Sequence, residues 1–277
     1  MSLDQHGIIK HGTAGGLAGL TVDVLLFPLD AVKTRMQSRG GFRNSGGFSN
    51  IYRGILPVLI VSVPSSSVFF TIYSQIQQQN FISNKSRSAV SNVLGTIISA
   101  CGAECVTCII RVPFEITKQR MQVNRHSMQS VVAQIMRKNG PFGFYSGFIA
   151  TLAREIPFAV IQYPLWEAFK KILLNKSELI SGNFISAVSG LFAGSIAGFI
   201  TTPLDLIKTR KMLDQTQQDA KSSMEIIRNI YHNEGGIVAV FKGAKARTCW
   251  IGLGGFVYLG SYGFYIHLFD EHNSPVQ

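Results

Sequence analysis

An eight-residue pattern, Pro-x-acid-x-x-Lys-x-Arg, occurs three times in this chain. It constrains the fold more than any other feature. It reads Pro28-Leu29-Asp30-Ala31-Val32-Lys33-Thr34-Arg35, then Pro113-Phe114-Glu115-Ile116-Thr117-Lys118-Gln119-Arg120, then Pro203-Leu204-Asp205-Leu206-Ile207-Lys208-Thr209-Arg210. The prolines lie 85 and 90 residues apart in a chain of 277. Such self-similarity means one architecture built from copies of one unit. Units of about 90 residues are small for independent domains. A single body over 1–277 is therefore expected, with repeats near 8–80, 91–173 and 183–269.

Each motif ends a long apolar run. The chain is 46% hydrophobic and 15% charged, whereas soluble domains carry about 25% charged residues. Six stretches, near 8–38, 55–78, 91–122, 148–170, 183–212 and 245–269, reach the roughly 20 residues that a bilayer-crossing helix needs. The expected fold is an all-α membrane protein with two spans per repeat. The motif prolines should kink the odd-numbered spans. Small residues spaced by four, Gly12 with Gly16, Gly15 with Gly19, and Gly190, Gly194 and Gly198, let such helices approach closely. Residues 128–137 and 222–232 have the pattern of short amphipathic helices. The polar connections 79–90 and 171–182 return the chain across the membrane.

Net charge is +11, but the basic residues sit beside apolar segments and form no separate stripe. An anionic lipid surface fits this better than nucleic acid. Lys33, Arg35, Arg39, Arg43 and Arg53 follow the first span, while Lys10 precedes it. The positive-inside rule then places the loops after the motifs on the more negative side and both termini opposite. Cys105-x-x-Cys108 has redox or zinc spacing, but no second pair or nearby His completes a site. Cys101, Cys105 and Cys108 are read as small packing residues, and neither a metal nor a cofactor is expected. Met1 to Lys10 lacks a basic region followed by an apolar core, so any targeting information is expected to be internal.

Charges inside spans are costly and usually functional. Asp30 with Lys33, Glu115 with Lys118, and Asp205 with Lys208 stand at one level of the three repeats. Pseudo-threefold packing would let each acid meet the lysine of a neighbouring repeat and close one end of a central cavity. A second triplicate, Tyr52-Arg53-Gly54, Tyr145-Ser146-Gly147 and Phe241-Lys242-Gly243, precedes each even-numbered span. Amides at a helix start bind phosphate, so Gly54, Gly147 and Gly243 are candidate lipid-headgroup sites. Plain capping explains them equally well.

With both triplicates in view, the chain resembles the mitochondrial carrier family over about residues 8–269. The resemblance implies six transmembrane helices with pseudo-threefold symmetry and three short matrix-side helices. It further implies bound cardiolipin, alternating access, and an inner-membrane location with both termini toward the intermembrane space. The motif ring would be the matrix gate, braced by Gln37 and Gln122, with Met212 at the third brace position. One chain closes the cavity, so a monomer is expected. The family's cytoplasmic gate, aromatic-acid-x-x-Lys, is complete only in Trp166-Glu167-Ala168-Phe169-Lys170. Tyr73-Ser74 with Gln77, and Tyr262-Gly263 with Ile266, depart from it. Only Glu167 and Lys170 can act there, which implies a weak cytoplasmic gate and a resting bias toward the cytoplasm-open state.

Differences among the repeats point to the substrate. Five residues before each motif proline stand Asp23, Cys108 and Gly198; nine before stand Gly19, Glu104 and Gly194. Asp23 and Glu104 are singular, and two cavity carboxylates want a cation. Pairing of Glu104 with Arg111 is the plainer alternative. On the even-numbered spans, equivalent positions hold Arg154-Glu155 and Trp250, with Arg247 three residues earlier, where it is expected to line the cavity mouth. An arginine takes a carboxylate, a glutamate takes an ammonium, and a tryptophan face takes a ring or a cation. S-adenosylmethionine carries a carboxylate, an amine, a sulfonium and an adenine. Val22-Asp23, Gly102-x-Glu104, Arg154-Glu155-Ile156-Pro157-Phe158, Gln162-Tyr163-Pro164-Leu165-Trp166-Glu167 and Gly254-Gly255-Phe256 are similar to carriers of that compound. The resemblance implies its exchange for S-adenosylhomocysteine. A basic amino acid carrier shares the charge logic without needing Trp250. An enzyme leaves the triplicated gate without a role, and no metal constellation or nucleophile–base pairing is visible; an intact ring argues against a leak channel.

Overall fold

Two of the three motif prolines lie inside unbroken helices, and the third lies just past a sharp bend. Helix α1 spans Gln5–Gln37 and contains Pro28. In the second repeat, α4 spans Ala89–Asn124 and contains Pro113. The third repeat has two helices there, α7 (Gly182–Ile200) and α8 (Thr202–Leu213), bent by 64°. The kink expected in all three repeats is thus a break in one. Its cause is local: the hydroxyls of Thr201 and Thr202 donate to the carbonyls of Ala197 and Gly198, each at 2.8 Å. Such back-bonding bends helices, and Pro203 then withholds the next amide. The equivalent pairs Leu26-Phe27 and Arg111-Val112 have no hydroxyl. In the second repeat the carbonyl released by Pro113 is that of Ile109, and the Tyr145 hydroxyl donates to it at 3.2 Å.

This computed structural model describes residues 5–83, 89–124, 126–174, 182–213 and 222–273, and all regular structure among them is helical. The even-numbered spans are α3 (Ile55–Ser83), α6 (Phe148–Leu174) and α11 (Ala244–Asn273). Neighbour contacts run α1 to α3, α4, α6, α7, α11 and back to α1, a closed ring. Among the described residues four helices are long and apolar enough to cross a membrane, five if α7 and α8 count as one span. The sixth expected span, α11, has 30 residues but does not meet that apolarity test. The outward faces carry large exposed apolar side chains, such as Leu94, Ile98 and Ile109 on α4. Faces of that kind belong against lipid. The connections expected at 79–90 and 171–182 run through residues outside the described set, and the Gln77 side chain and residues 214–221 lie outside it too.

Short helices lie at the motif end. They are α2 (Gly41–Asn44), α5 (Met128–Asn139), α9 (Ser223–Asn233) and α10 (Gly236–Val240), with a 3₁₀ turn at Pro141–Tyr145. The two amphipathic segments expected from the sequence are α5 and α9. They bury Val131 and Ile135, and Ile226 and Ile230. Ser127 caps α5, its side chain accepting the Ser130 amide. The first repeat has only the single turn α2, because Gly40, Gly41, Gly46 and Gly47 oppose a longer helix. Arg35 compensates by donating to the carbonyls of Gly47, Ser49 and Asn50 at 2.6, 2.8 and 3.2 Å.

Candidate functional site

At the motif end the three repeats lock together in a cycle. Lys118 lies 2.7 Å from Asp30, Lys208 2.5 Å from Glu115, and Lys33 2.8 Å from Asp205. Each pair joins two different repeats. Gln37 adds to the third pair, donating to Asp205 at 2.8 Å while accepting from Thr209 at 2.8 Å. Gln122 donates to Asp30 at 3.3 Å. Met212 occupies the third equivalent place, buried in one apolar cluster with Met121, Val131 and Ile135. Glu115 is left there with one buried oxygen, Oε2, that has no hydrogen-bond partner.

Below this ring lies a second cycle, for which the sequence reading assigned no partners. Arg35 Nε donates to the Gln122 carbonyl at 3.1 Å, Arg120 Nε to that of Met212 at 3.0 Å, and Arg210 Nε to that of Gln37 at 2.5 Å. The motif arginines thus tie each repeat to the next through backbone. Gly54, Gly147 and Gly243 close the same three joints. Their φ values are +90°, +91° and +83°, a region that favours glycine. A Cβ at Gly54 would meet the Lys118 carbonyl at 2.9 Å, one at Gly147 the Met212 side chain at 3.0 Å, and one at Gly243 the Gln37 side chain at 3.2 Å. Backbone geometry and close packing are therefore sufficient reasons for these glycines.

In the third repeat Arg210 also makes a two-pronged pair with Glu234, at 2.8 and 2.7 Å, and Lys242 joins at 3.3 Å. Partial burial pushes the Glu234 carboxyl upward. The bonds to Arg210 and Lys242 outweigh it and hold the group below its usual range.

Above the ring the threefold pattern ends. A cavity of about 150 Å³ opens between α3, α4 and α6, with Phe69, Cys101, Glu104, Glu155, Gln162 and Tyr163 in its wall. Glu104 does not wait free for a cation, because Arg111 Nη2 bonds it directly. The same nitrogen lies 2.8 Å from Glu155 Oε1, which Arg154 Nη2 also contacts. The plainer alternative for Glu104 is the arrangement present, and Arg111 joins the site as a residue the sequence reading left out of it. Its signal was spacing, since Glu104 and Arg111 are two helical turns apart on one face. Asp23 differs. Its carboxylate accepts from the Ser62 hydroxyl on α3 and, among the described residues, is paired with no cation.

Arg247 does not line the cavity mouth. It is 2% exposed, donates to the Thr201 carbonyl and hydroxyl at 3.1 and 2.8 Å, and lies 3.5 Å from Asp205. Its guanidinium covers the Phe158 ring at 5.8 Å. Arg247 therefore braces the bend between α7 and α8. Trp250, half-buried on α11, is not in the wall of the cavity that holds Glu104 and Glu155. The aromatic side chains that do stand there are Phe69, Phe158 and Tyr163. At the opposite end Lys170 lies over the Trp166 ring at 5.0 Å, and Trp166 donates to the Ser186 carbonyl at 3.0 Å. Glu167 is half-buried beside them.

Comparison with known proteins places this geometry. The family profile described as mitochondrial carrier protein matches residues 4–83, 89–177 and 181–273, one match per repeat. The mitochondrial S-adenosylmethionine carrier protein of Mus musculus is 36% identical over 94% of this chain and 94% of its own length. Its namesake in Xenopus tropicalis is 40% identical over 90% of this chain and 92% of its own. The S-adenosylmethionine mitochondrial carrier protein homolog of Drosophila melanogaster is 41% identical over 90% and 89%.

Proposed function

Because the chain belongs to the mitochondrial carrier family, we propose that it imports S-adenosylmethionine across the mitochondrial inner membrane in exchange for S-adenosylhomocysteine. It works by alternating access as a monomer, with both termini toward the intermembrane space. It is a transporter rather than an enzyme. Asp30, Lys33, Glu115, Lys118, Asp205 and Lys208 are the matrix gate, braced by Gln37 and Gln122. Glu167 and Lys170 are what remains of a cytoplasmic gate. Cardiolipin sits at the helix starts after Gly54, Gly147 and Gly243.

One observation carries the substrate reading: among the described residues Asp23 on α1 is a carboxylate with no cation paired to it, held by Ser62 of α3, whereas Glu104 and Glu155 in the cavity wall are paired. Desolvated and unpaired, it favours a positively charged occupant. The sulfonium of S-adenosylmethionine supplies that charge. Glu155 takes the amine. The Arg111–Arg154 pair takes the carboxylate, Arg111 being the more exposed at 30% against 13%. Phe69 and Tyr163 offer the flat faces for adenine that the sequence reading sought at Trp250.

The position of Trp250 also favours a second reading, a carrier of basic amino acids, which needs no ring platform. Uptake of labelled S-adenosylmethionine into liposomes holding the purified protein separates the two. Saturable uptake stimulated by internal S-adenosylhomocysteine is expected. Uptake of lysine with none of S-adenosylmethionine would transfer the assignment to basic amino acids.

A further inference from the structure

Neither the gate nor the cavity accounts for a third triplicate at the motif end. Seven residues before each joint glycine stand Gly47, Gly140 and Gly236, with φ +55°, +62° and +67°. A Cβ at any of them would have room, the nearest atom being 4.0 Å away at Gly47. Backbone direction rather than packing therefore calls for glycine there. Each glycine opens a turn of the same length, and each turn holds a large apolar side chain outward. Phe48 is 74% exposed, Phe142 80%, Ile237 68% and Val238 78%. A single exposed apolar residue is ordinary, but one at the same place in every repeat marks a surface with a partner.

The tips border the apolar outer faces of the spans. Three or four residues later, at most about 14 Å of chain, each turn ends on an aromatic ring: Tyr52, Tyr145 or Phe241. The Tyr145 hydroxyl reaches the Ile109 carbonyl on α4, Phe241 stacks on Phe199 of α7 at 5.2 Å, and Tyr52 stacks on Phe27 of α1 at 5.9 Å. Ile109 and Phe199 belong to outward faces, 51% and 52% exposed. Exposed bases flank the tips: Arg43 in the first repeat, Arg137 and Lys138 in the second, Lys245 in the third. Residues 36–60 and 121–153 contain no Asp or Glu.

We propose that Phe48, Phe142 and the Ile237–Val238 pair insert into the lipid leaflet at the motif end, as three interfacial anchors that fix the depth of the bundle. Pseudo-threefold repetition spreads the tips around the perimeter. A protein partner on one side would cover one or two of them, whereas a leaflet surrounds the bundle and meets all three. A second copy would bring exposed bases against exposed bases. In a leaflet the apolar tips enter the acyl boundary while the bases stay among anionic headgroups. This anchoring calls for no particular lipid, which separates it from the cardiolipin sites at the helix starts. It is independent of the solute carried.

The test uses the full chain in cardiolipin-free liposomes of phosphatidylcholine and phosphatidylglycerol. Benzoylphenylalanine replaces Phe48, Phe142 or Val238 in turn, and mass spectrometry identifies what light couples to it. Lipid adducts are expected at all three positions. A crosslinked dimer in place of the lipid adduct, or the absence of a lipid adduct at any one of the three, overturns the ring of anchors. Phe142→Trp is a gentler change, read by fluorescence against the wild type. Its added emission should fall about twofold or more when the lipid is brominated along the acyl chain, and should resist iodide in the water. Quenching by iodide and not by bromine would put the tip in water and overturn the proposal.

Discussion

The gate and the cavity are built on opposite plans. Three ion pairs, three arginine–carbonyl bonds and three glycine contacts repeat around the gate, each linking one repeat to the next. One level above, nothing repeats: Asp23 stands alone, Glu104 and Glu155 share Arg111, and Arg154 leans toward the gate. Under the proposed function, the gating lies in the symmetric part and the choice of solute lies in the asymmetric part. The two meet at Asp205, which is 2% exposed and holds Lys33, Arg154, Arg247 and Gln37.

That meeting point should dominate any comparison of the gate pairs. Asp205→Asn takes the anion from Lys33 and from the buried Arg247 and removes the gate-side contact of Arg154, which keeps Glu155, and breaking a buried pair from one side costs about 3–5 kcal/mol. Asp30→Asn strips one lysine contact of a less buried group and should cost about half as much. Thermal unfolding of the two variants in detergent measures the difference. Equal losses would mean that the gate is symmetric in energy as well as in sequence.

The next largest effect probes the glycine joints. Gly147→Ala puts a Cβ at φ +91° and 3.0 Å from Met212, a strain of about 1–2 kcal/mol. Gly16→Ala, with open space around its Cβ position, should be neutral or slightly stabilising by the same assay.

A smaller effect of opposite sign is expected from completing the brace. Met212→Gln is close to volume-conserving and offers a donor to the unpartnered Glu115 Oε2. The gate should gain about 1 kcal/mol, raising the unfolding temperature and slowing turnover. Faster transport would show that the third joint is held by apolar packing alone.

The smallest effect is one of pH. The Glu234 carboxyl is held below its ordinary value of 4.5, so its bond to Arg210 contributes fully above that value. The contribution is lost as pH falls through the lower folded value. The protection of α9 amides against hydrogen exchange, corrected for the intrinsic pH dependence of exchange, should therefore hold from neutral pH to about 5 and fall in more acid solution, ahead of that of α5, which among the described residues has no such pair. Parallel behaviour of α9 and α5 would remove Glu234 from the account.

Much of this was legible in the sequence because repetition is visible to counting. The apolar stretches predict six helical segments, and the period of the prolines predicts three repeats and the level of the motif charges. The amphipathic patterns marked α5 and α9. What failed was whatever depended on a single unrepeated neighbour. Thr201-Thr202 before Pro203 breaks the third repeat, and the hydroxyls that do so were in plain view. Arg247 has the charge of a substrate contact, yet its partners are a backbone carbonyl and a gate carboxylate from another helix. For Glu104 the sequence leaves two readings open, a cation site or a partner of Arg111, and the structure pairs it with Arg111, two turns away, in the cavity wall. Trp250 shows that aligning repeats gives depth on a helix better than it gives facing.

The central claim is that the unpaired carboxylate of Asp23 selects a positively charged solute. Its most direct test is uptake of S-adenosylmethionine and S-adenosylhomocysteine by the wild type and Asp23→Asn in the same liposomes. Loss of one desolvated charge contact is worth about 1.4 kcal/mol or more, a factor of about ten. The account predicts that Asp23→Asn loses about that factor for S-adenosylmethionine and much less for S-adenosylhomocysteine. Equal losses for both compounds would contradict it.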